Sequence, residues 1–186
     1  EAVIASLDDY VLRPEDMPNQ YKIEEDGEQH LTNLRVINTV GEVEGKRYIA
    51  ATDRLDGWSL LLARVNKEEL FPYAIYSEVE VFETPEGAQT AFSPDWYPAY
   101  SVEEGADSPT FIEDGCDFGD ACIMYLYEKL DPATELTTLR YEIAFVYKNL
   151  IGKVMGRGLD FDMDPDYIVD TAELLFEKID SAPMAE

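Results

Sequence analysis

One histidine limits the chemistry open to this chain. His30 is alone among 186 residues, so a mechanism that pairs a Ser or Cys nucleophile with an imidazole base has to run through it. It lies in the polar stretch Gly27-Glu28-Gln29-His30, and no nucleophile elbow of the Gly-x-Ser-x-Gly type occurs anywhere. His30 reads as a surface histidine. The densest carboxylate cluster is Asp160-Phe161-Asp162-Met163-Asp164-Pro165-Asp166. Alternating Asp resembles the first half of a calcium loop, in which hard oxygens surround a hard cation. However, the position that needs glycine holds Pro165, and the position of the bidentate glutamate holds Thr171. Helix capping accounts for half the cluster, with Asp164 as cap, Pro165 as first helical residue and Asp166 at the positive helix end. Asp160, Asp162 and Asp164 are the metal candidates. The expectation is no tight site and no cofactor.

Cys116 and Cys122 are the two cysteines, in Gly115-Cys116-Asp117-Phe118-Gly119-Asp120-Ala121-Cys122. A four-ligand zinc site would need carboxylates to complete it. Asp114, Asp117 and Asp120 disfavour a thiolate and hence a catalytic thiol. Two cysteines close in sequence, with glycine between them, predict a disulfide in an oxidising compartment; two free thiols are the alternative. Carboxylate pairs of the kind that hydrolyse glycosides carry no information in a chain with forty Asp and Glu. Gly152-Lys153 and Gly156-Arg157-Gly158 do not form a phosphate loop, and Gly156 and Gly158 are expected at a bend leaving the last strand. Trp96, Tyr97 and Tyr100 cluster in a long loop just after Phe92. Exposed, they would grip a ligand or a protein partner; the alternative is core packing beneath the loop.

Charge excludes whole classes of function. Forty acidic residues face fourteen Lys and Arg, for a formal charge of -26. Nucleic-acid binding exchanges counterions for Lys and Arg, and this surface repels phosphate instead. No nucleic acid and no anionic membrane surface is expected as partner, whereas a basic protein surface fits. No apolar run reaches the ~18 residues of a membrane helix.

The elements that must position these residues read as one α+β domain over residues 1–186. An N-terminal segment, residues 1–20, holds the apolar stretch Leu7 to Leu12 and a turn at Pro14, Met17 and Pro18. A short strand is expected at Tyr21 to Glu24, and Thr32 should cap a short helix ending near Gly41. Strands at Lys46 to Asp53 and Trp58 to Val65 are expected to flank a turn at Asp56-Gly57. Ile75 to Phe82 alternates cleanly, Ile75, Ser77, Val79 and Val81 against Tyr76, Glu78, Glu80 and Phe82. Thr84-Pro85-Glu86 starts a helix. Residues 93–120 form a long loop, of a length that is often functional. Strands follow at Ala121 to Leu130, Thr137 to Tyr147 and Ile151 to Arg157. A helix from about Pro165 to Ile179 closes the chain, with Ile168, Ala172, Leu175, Phe176 and Ile179 facing the sheet. Short turns between strands imply antiparallel pairing, with helices on the sheet's faces.

Four stretches resemble small secreted bacterial lipoproteins of the PsbP-like type: Leu12-Arg13-Pro14-Glu15-Asp16-Met17-Pro18, Gly57-Trp58, Val79-Glu80-Val81-Phe82 with Thr84-Pro85-Glu86-Gly87-Ala88, and Phe118-Gly119-Asp120. The resemblance implies a curved antiparallel sheet between helices and an extracytoplasmic, non-catalytic accessory protein. It also implies, as in many such proteins, a lipid anchor on an N-terminal Cys, which these residues lack, so an anchor would belong to a segment beyond them. The leading expectation is therefore an acidic protein-interaction domain, secreted, periplasmic or at the cell surface, using the loop with Trp96, Tyr97 and Tyr100. The second is an exported small-ligand or cation-binding protein, and the third a carboxylate-dependent hydrolase. A ligand binder should show an enclosed pocket with a few polar groups, and an accessory subunit a flat apolar patch.

Overall fold

The structure is a computed structural model that describes residues 6–96 and 109–182. Its frame is a seven-stranded sheet, open at both edges, in the order β1-β2-β3-β7-β6-β5-β4. The strands are β1 (Tyr21–His30), β2 (Arg54–Arg64), β3 (Ala74–Phe82), β4 (Thr110–Phe111), β5 (Ala121–Leu130), β6 (Thr137–Tyr147) and β7 (Leu150–Leu159). Every pairing is antiparallel. Strands that are neighbours in the sheet are mostly consecutive in the chain, β2–β3, β5–β6 and β6–β7 by direct connections and β1–β2 across the helical segment 31–53. The exception is β3 against β7, a pairing across the middle of the sheet that brings Glu78 opposite Lys153.

Helix α4 (Pro165–Ser181) packs on one face. Asp164 caps it by accepting a hydrogen bond from the Asp166 amide at 3.0 Å, as the sequence predicts. Its Ile168, Ala172, Leu175 and Ile179 meet Ile75, Val79, Ile143, Phe145 and Val154 in the larger core. Gly156 lies within β7 and not at a bend beyond it. A Cβ there would stand 2.1 Å from Ile168 Cδ1, so the missing side chain lets the helix seat. The N-terminal segment closes the same side. Leu7, Tyr10, Val11 and Leu12 are buried, and the Leu12 amide donates to the buried Ser77 hydroxyl at 3.0 Å. Lys178 of α4 donates to the Val11 carbonyl at 3.0 Å.

The other face is covered by α1 (Asn33–Val40), α2 (Glu42–Thr52) and α3 (Pro85–Ala91). Thr32 and Thr84 cap α1 and α3 as expected, accepting from the Arg35 and Gly87 amides at 3.3 and 3.0 Å. The strand expected at Lys46 to Asp53 is instead most of α2. Its Tyr48-Ile49 pair suits a strand, but Lys46 reaches back to Glu42 at 2.6 Å and Arg47 to Glu44 at 3.1 Å, both at helical spacing. Tyr48 also buries its ring against Trp96, so tertiary packing overrides propensity. The turn expected at Asp56-Gly57 is likewise continuous strand. Gly57 pairs with Glu80, and a Cβ on it would meet the Arg54 Nη2 atom at 2.6 Å, so glycine makes room for that guanidinium. β1 runs past Glu24 through an irregularity between Ile23 and Glu28.

Candidate functional site

Strand alternation gives the sheet two unlike faces. The face under α1–α3 carries Tyr76, Glu78 and Glu80 from β3, Ile151, Lys153 and Met155 from β7, and Arg140 and Glu142 from β6. At one end Phe82, Val146 and Ile151 join Tyr48, Ala88, Ala91 and Trp96 in a second, smaller core. Toward the middle of the strands that apolar cover gives out and charge takes over. There the helices and the sheet line a half-open cavity of about 440 Å³.

Arg54 anchors the cavity's wall. The side chain is fully buried and pairs with Glu80. It donates to the Leu31 carbonyl and to Asn33 Oδ1, both at 2.8 Å, which ties the start of α1 to the sheet. Tyr48 donates to the other Glu80 oxygen at 3.3 Å. On the floor Lys153 Nζ lies 2.9 Å from Glu78 Oε1, with side chains only 16% and 12% exposed. The Tyr76 hydroxyl donates to the second Glu78 oxygen. Burial works against the charge of both Lys153 and Glu78, and in each the opposite charge beside it prevails. Lys153 is held above the ordinary lysine range, and Glu78 is held below the ordinary carboxylate range with help from Tyr76 and Arg54. Burial, reinforced by Glu78, pushes the Tyr76 hydroxyl well up, so it stays a neutral donor. Arg140 places its guanidinium 3.9 Å from the centre of the Tyr127 ring.

Chemically these are charges fixed in place by their partners. A general acid needs a carboxyl pKa raised toward neutrality, and Glu78 is shifted the other way. A Schiff-base lysine needs a lowered pKa, and Lys153 is shifted up. The arrangement can present ionic and hydrogen-bonding groups to a molecule held against an apolar wall of Val36, Val40, Ala91 and Trp96.

The residues singled out from the sequence fall elsewhere or in other roles. Trp96, expected on an exposed partner-binding loop, is 7% exposed and forms part of the cavity wall, its ring 5.5 Å from that of Tyr48. Arg47 covers the same indole at 4.8 Å. Tyr97 and Tyr100 lie outside the described residues. Cys116 and Cys122 are joined in a disulfide that ties the end of the long loop to β5. His30 is exposed and hydrogen-bonded to Asp56 at 2.7 Å. Asp160, Asp162 and Asp164 diverge. Asp160 accepts from the Phe161 amide at 2.9 Å, Asp162 is buried against Arg64 at 3.4 Å, and Asp164 caps α4. Among the described residues no three His, Cys, Asp or Glu side chains converge as metal ligands would. Arg54, Glu80, Tyr76, Glu78, Lys153 and Arg140 carry no local motif, and the one sequence signal for them is the placement of Tyr76, Glu78 and Glu80 together on one side of a strand.

No family model matches the chain, and no curated protein matches it in sequence. The fold itself defines an α+β domain with an antiparallel sheet between helices. It is similar to that in a crystal structure of the extracellular domain of PknH from Mycobacterium tuberculosis, with a TM-score of 0.57 at 13% identity, covering 98% of this chain and 99% of that one. At that identity the likeness establishes a shared fold and transfers no site. Nothing in these matches points to PsbP-like lipoproteins in particular.

Proposed function

We propose that this is an extracytoplasmic small-ligand-binding domain without catalytic activity, and that its site is the cavity between the sheet and helices α1–α3. The observation that carries the reading is the cavity itself. Its volume falls within the roughly 300–1,000 Å³ typical of ligand pockets, and it combines an apolar wall with a few convergent, internally braced polar groups. The location rests on the disulfide, which suits an oxidising compartment, and on the similarity to a domain that is extracellular in its own protein. It agrees with the export and accessory character implied by the PsbP-like resemblance. Trp96 is buried in the cavity wall, which favours its alternative role in packing. The acid exterior still favours a basic partner through long-range attraction, which would read out the occupied domain.

A fragment screen by amide NMR tests this. Hits should cluster their shifts on Val36, Tyr48, Trp96, Ile151 and Met155. Shifts gathered on another face, or scattered over the surface, would remove the cavity as the site.

A further inference from the structure

Charge on the cavity's surface is settled within the protein. Of the carboxylates that line it, Glu80 pairs with Arg54 and Glu78 with Lys153. Tyr48 and Tyr76 donate to those same two carboxylates. Arg140 lies against the Tyr127 ring, and both it and Glu142, two residues along the same face of β6, have partners in the fold. Arg35 stands at the exposed mouth and donates to Gln29 Oε1 at 2.5 Å. Between these groups the wall is apolar, with Val36, Val40, Ala91, Trp96, Ile151 and Met155.

A charge brought in by a ligand would have to draw one member of a braced ion pair away from its partner, or lie desolvated beside it. Either way it carries the penalty of a buried and poorly compensated charge. The net charge of -26 adds long-range repulsion for an anion. An uncharged molecule meets neither obstacle. An ammonium carries three N–H donors and a carboxylate several acceptor sites, so the Lys153–Glu78 pair can hydrogen-bond a neutral amide or hydroxyl while staying closed.

We infer that the cavity takes an uncharged, mainly apolar molecule whose ring-bearing body lies against Val36, Trp96 and Ile151. This rests on the cavity being the ligand site.

Three probes of one ring system and nearly one size test the charge: naphthamide, naphthoate and naphthylmethylammonium. Each is titrated into the wild-type protein at neutral pH and followed by amide NMR. Naphthamide should bind saturably, with shifts on Val36, Ile151 and Met155, at least about tenfold tighter than either ion. A local excess of cationic groups would put naphthoate first, and attraction to the acid exterior would put naphthylmethylammonium first. Either ranking, or a smaller margin for naphthamide, would overturn the uncharged ligand and leave the cavity as a site. So would the failure of all three to bind alongside fragment shifts on the cavity. Val36→Trp, which fills the cavity, should weaken naphthamide at least about tenfold with the circular dichroism unchanged. If that variant does not fold, Thr39→Trp, at an exposed position of the same wall, takes its place with the same expected loss. Naphthamide binding that ignores the filled cavity, or shifts gathered on another face, would overturn the cavity and the uncharged ligand together.

Discussion

Replacing Lys153 by Met leaves Glu78 buried without its cation. Removing one partner of a buried ion pair costs about 3–5 kcal/mol, because the remaining charge cannot regain its hydration. Here the two side chains keep 16% and 12% exposure, and Tyr76 continues to donate to Glu78. The lower end, about 3 kcal/mol, is therefore expected. For a chain of this size each kcal/mol moves the melting temperature by about 2–4 °C, so Lys153→Met should melt about 6–12 °C lower at neutral pH. Adding Glu78→Gln removes the stranded charge and keeps an acceptor for Tyr76, so the double variant should recover at least about half of the loss. Acid sharpens the test. In the wild type the folded pKa of Glu78 lies below its ordinary value of 4.5. Its contribution to stability is therefore present above that value and lost as pH falls through the folded pKa. In Lys153→Met the burial is no longer opposed by the ammonium, and the carboxyl pKa moves up. The variant then takes up its proton early on acidification and sheds its penalty. The gap between wild type and variant should accordingly narrow from pH 7 to pH 4. Differential scanning calorimetry across that range measures it. A constant or widening gap, or a double variant that merely sums the two single losses, would refute the account of the pair.

Two further substitutions test the frame that holds the cavity. Gly156→Ala would put a methyl 2.1 Å from Ile168 Cδ1 and should cost about 1–3 kcal/mol in urea unfolding, with part restored by Ile168→Val. An additive double variant would show that the two do not touch. Asp164→Ala should cost about 1 kcal/mol through the lost α4 cap, while Asp160→Ala, which removes only a bond to the neighbouring Phe161 amide, should cost less. Equal denaturation midpoints for the two variants would contradict that ranking.

Local signals made much of the fold legible. Period-two alternation placed β3, and Thr84 before Pro85 placed the start of α3. Asp164 before Pro165, with Ile168, Ala172, Leu175 and Ile179 at helical spacing, placed α4. Each is a property of neighbouring residues. What stayed hidden depends on residues far apart. Tyr48 and Ile49 look like strand until Trp96, 48 residues downstream, supplies the packing that α2 needs. Gly57 looks like a turn until Arg54 is seen lying across it. The cavity was hidden for the same reason. Glu78 and Lys153 are 75 residues apart, and only the β3–β7 pairing sets them opposite each other. A carboxylate in a chain with forty of them gives no hint which ones are buried.

The two faces of the sheet do different work, and energetics separates them. The α4 face has a mainly apolar core, with the buried Ser77 hydroxyl satisfied by the Leu12 amide, and its burial at roughly 25 cal/mol per Å² supplies stability with no buried ion pair among those core side chains. The opposite face buries Arg54, Glu142 and Arg140, with Lys153 and Glu78 largely buried beside them. Each such charge carries a desolvation cost that its partner offsets only in part, and apolar residues of similar shape commonly serve stability as well or better. Stability therefore does not account for a charged floor beneath α1–α3. The braces around it serve position instead. Arg54 is held by Glu80, Leu31 and Asn33, Glu78 by Tyr76 and Lys153, and Arg140 by Tyr127. Side chains held on several sides lose little further freedom when a ligand arrives, and preorganisation of this kind lowers the cost of binding. A charged floor that costs stability, is held rigid and opens into a cavity fits the binding role proposed for it.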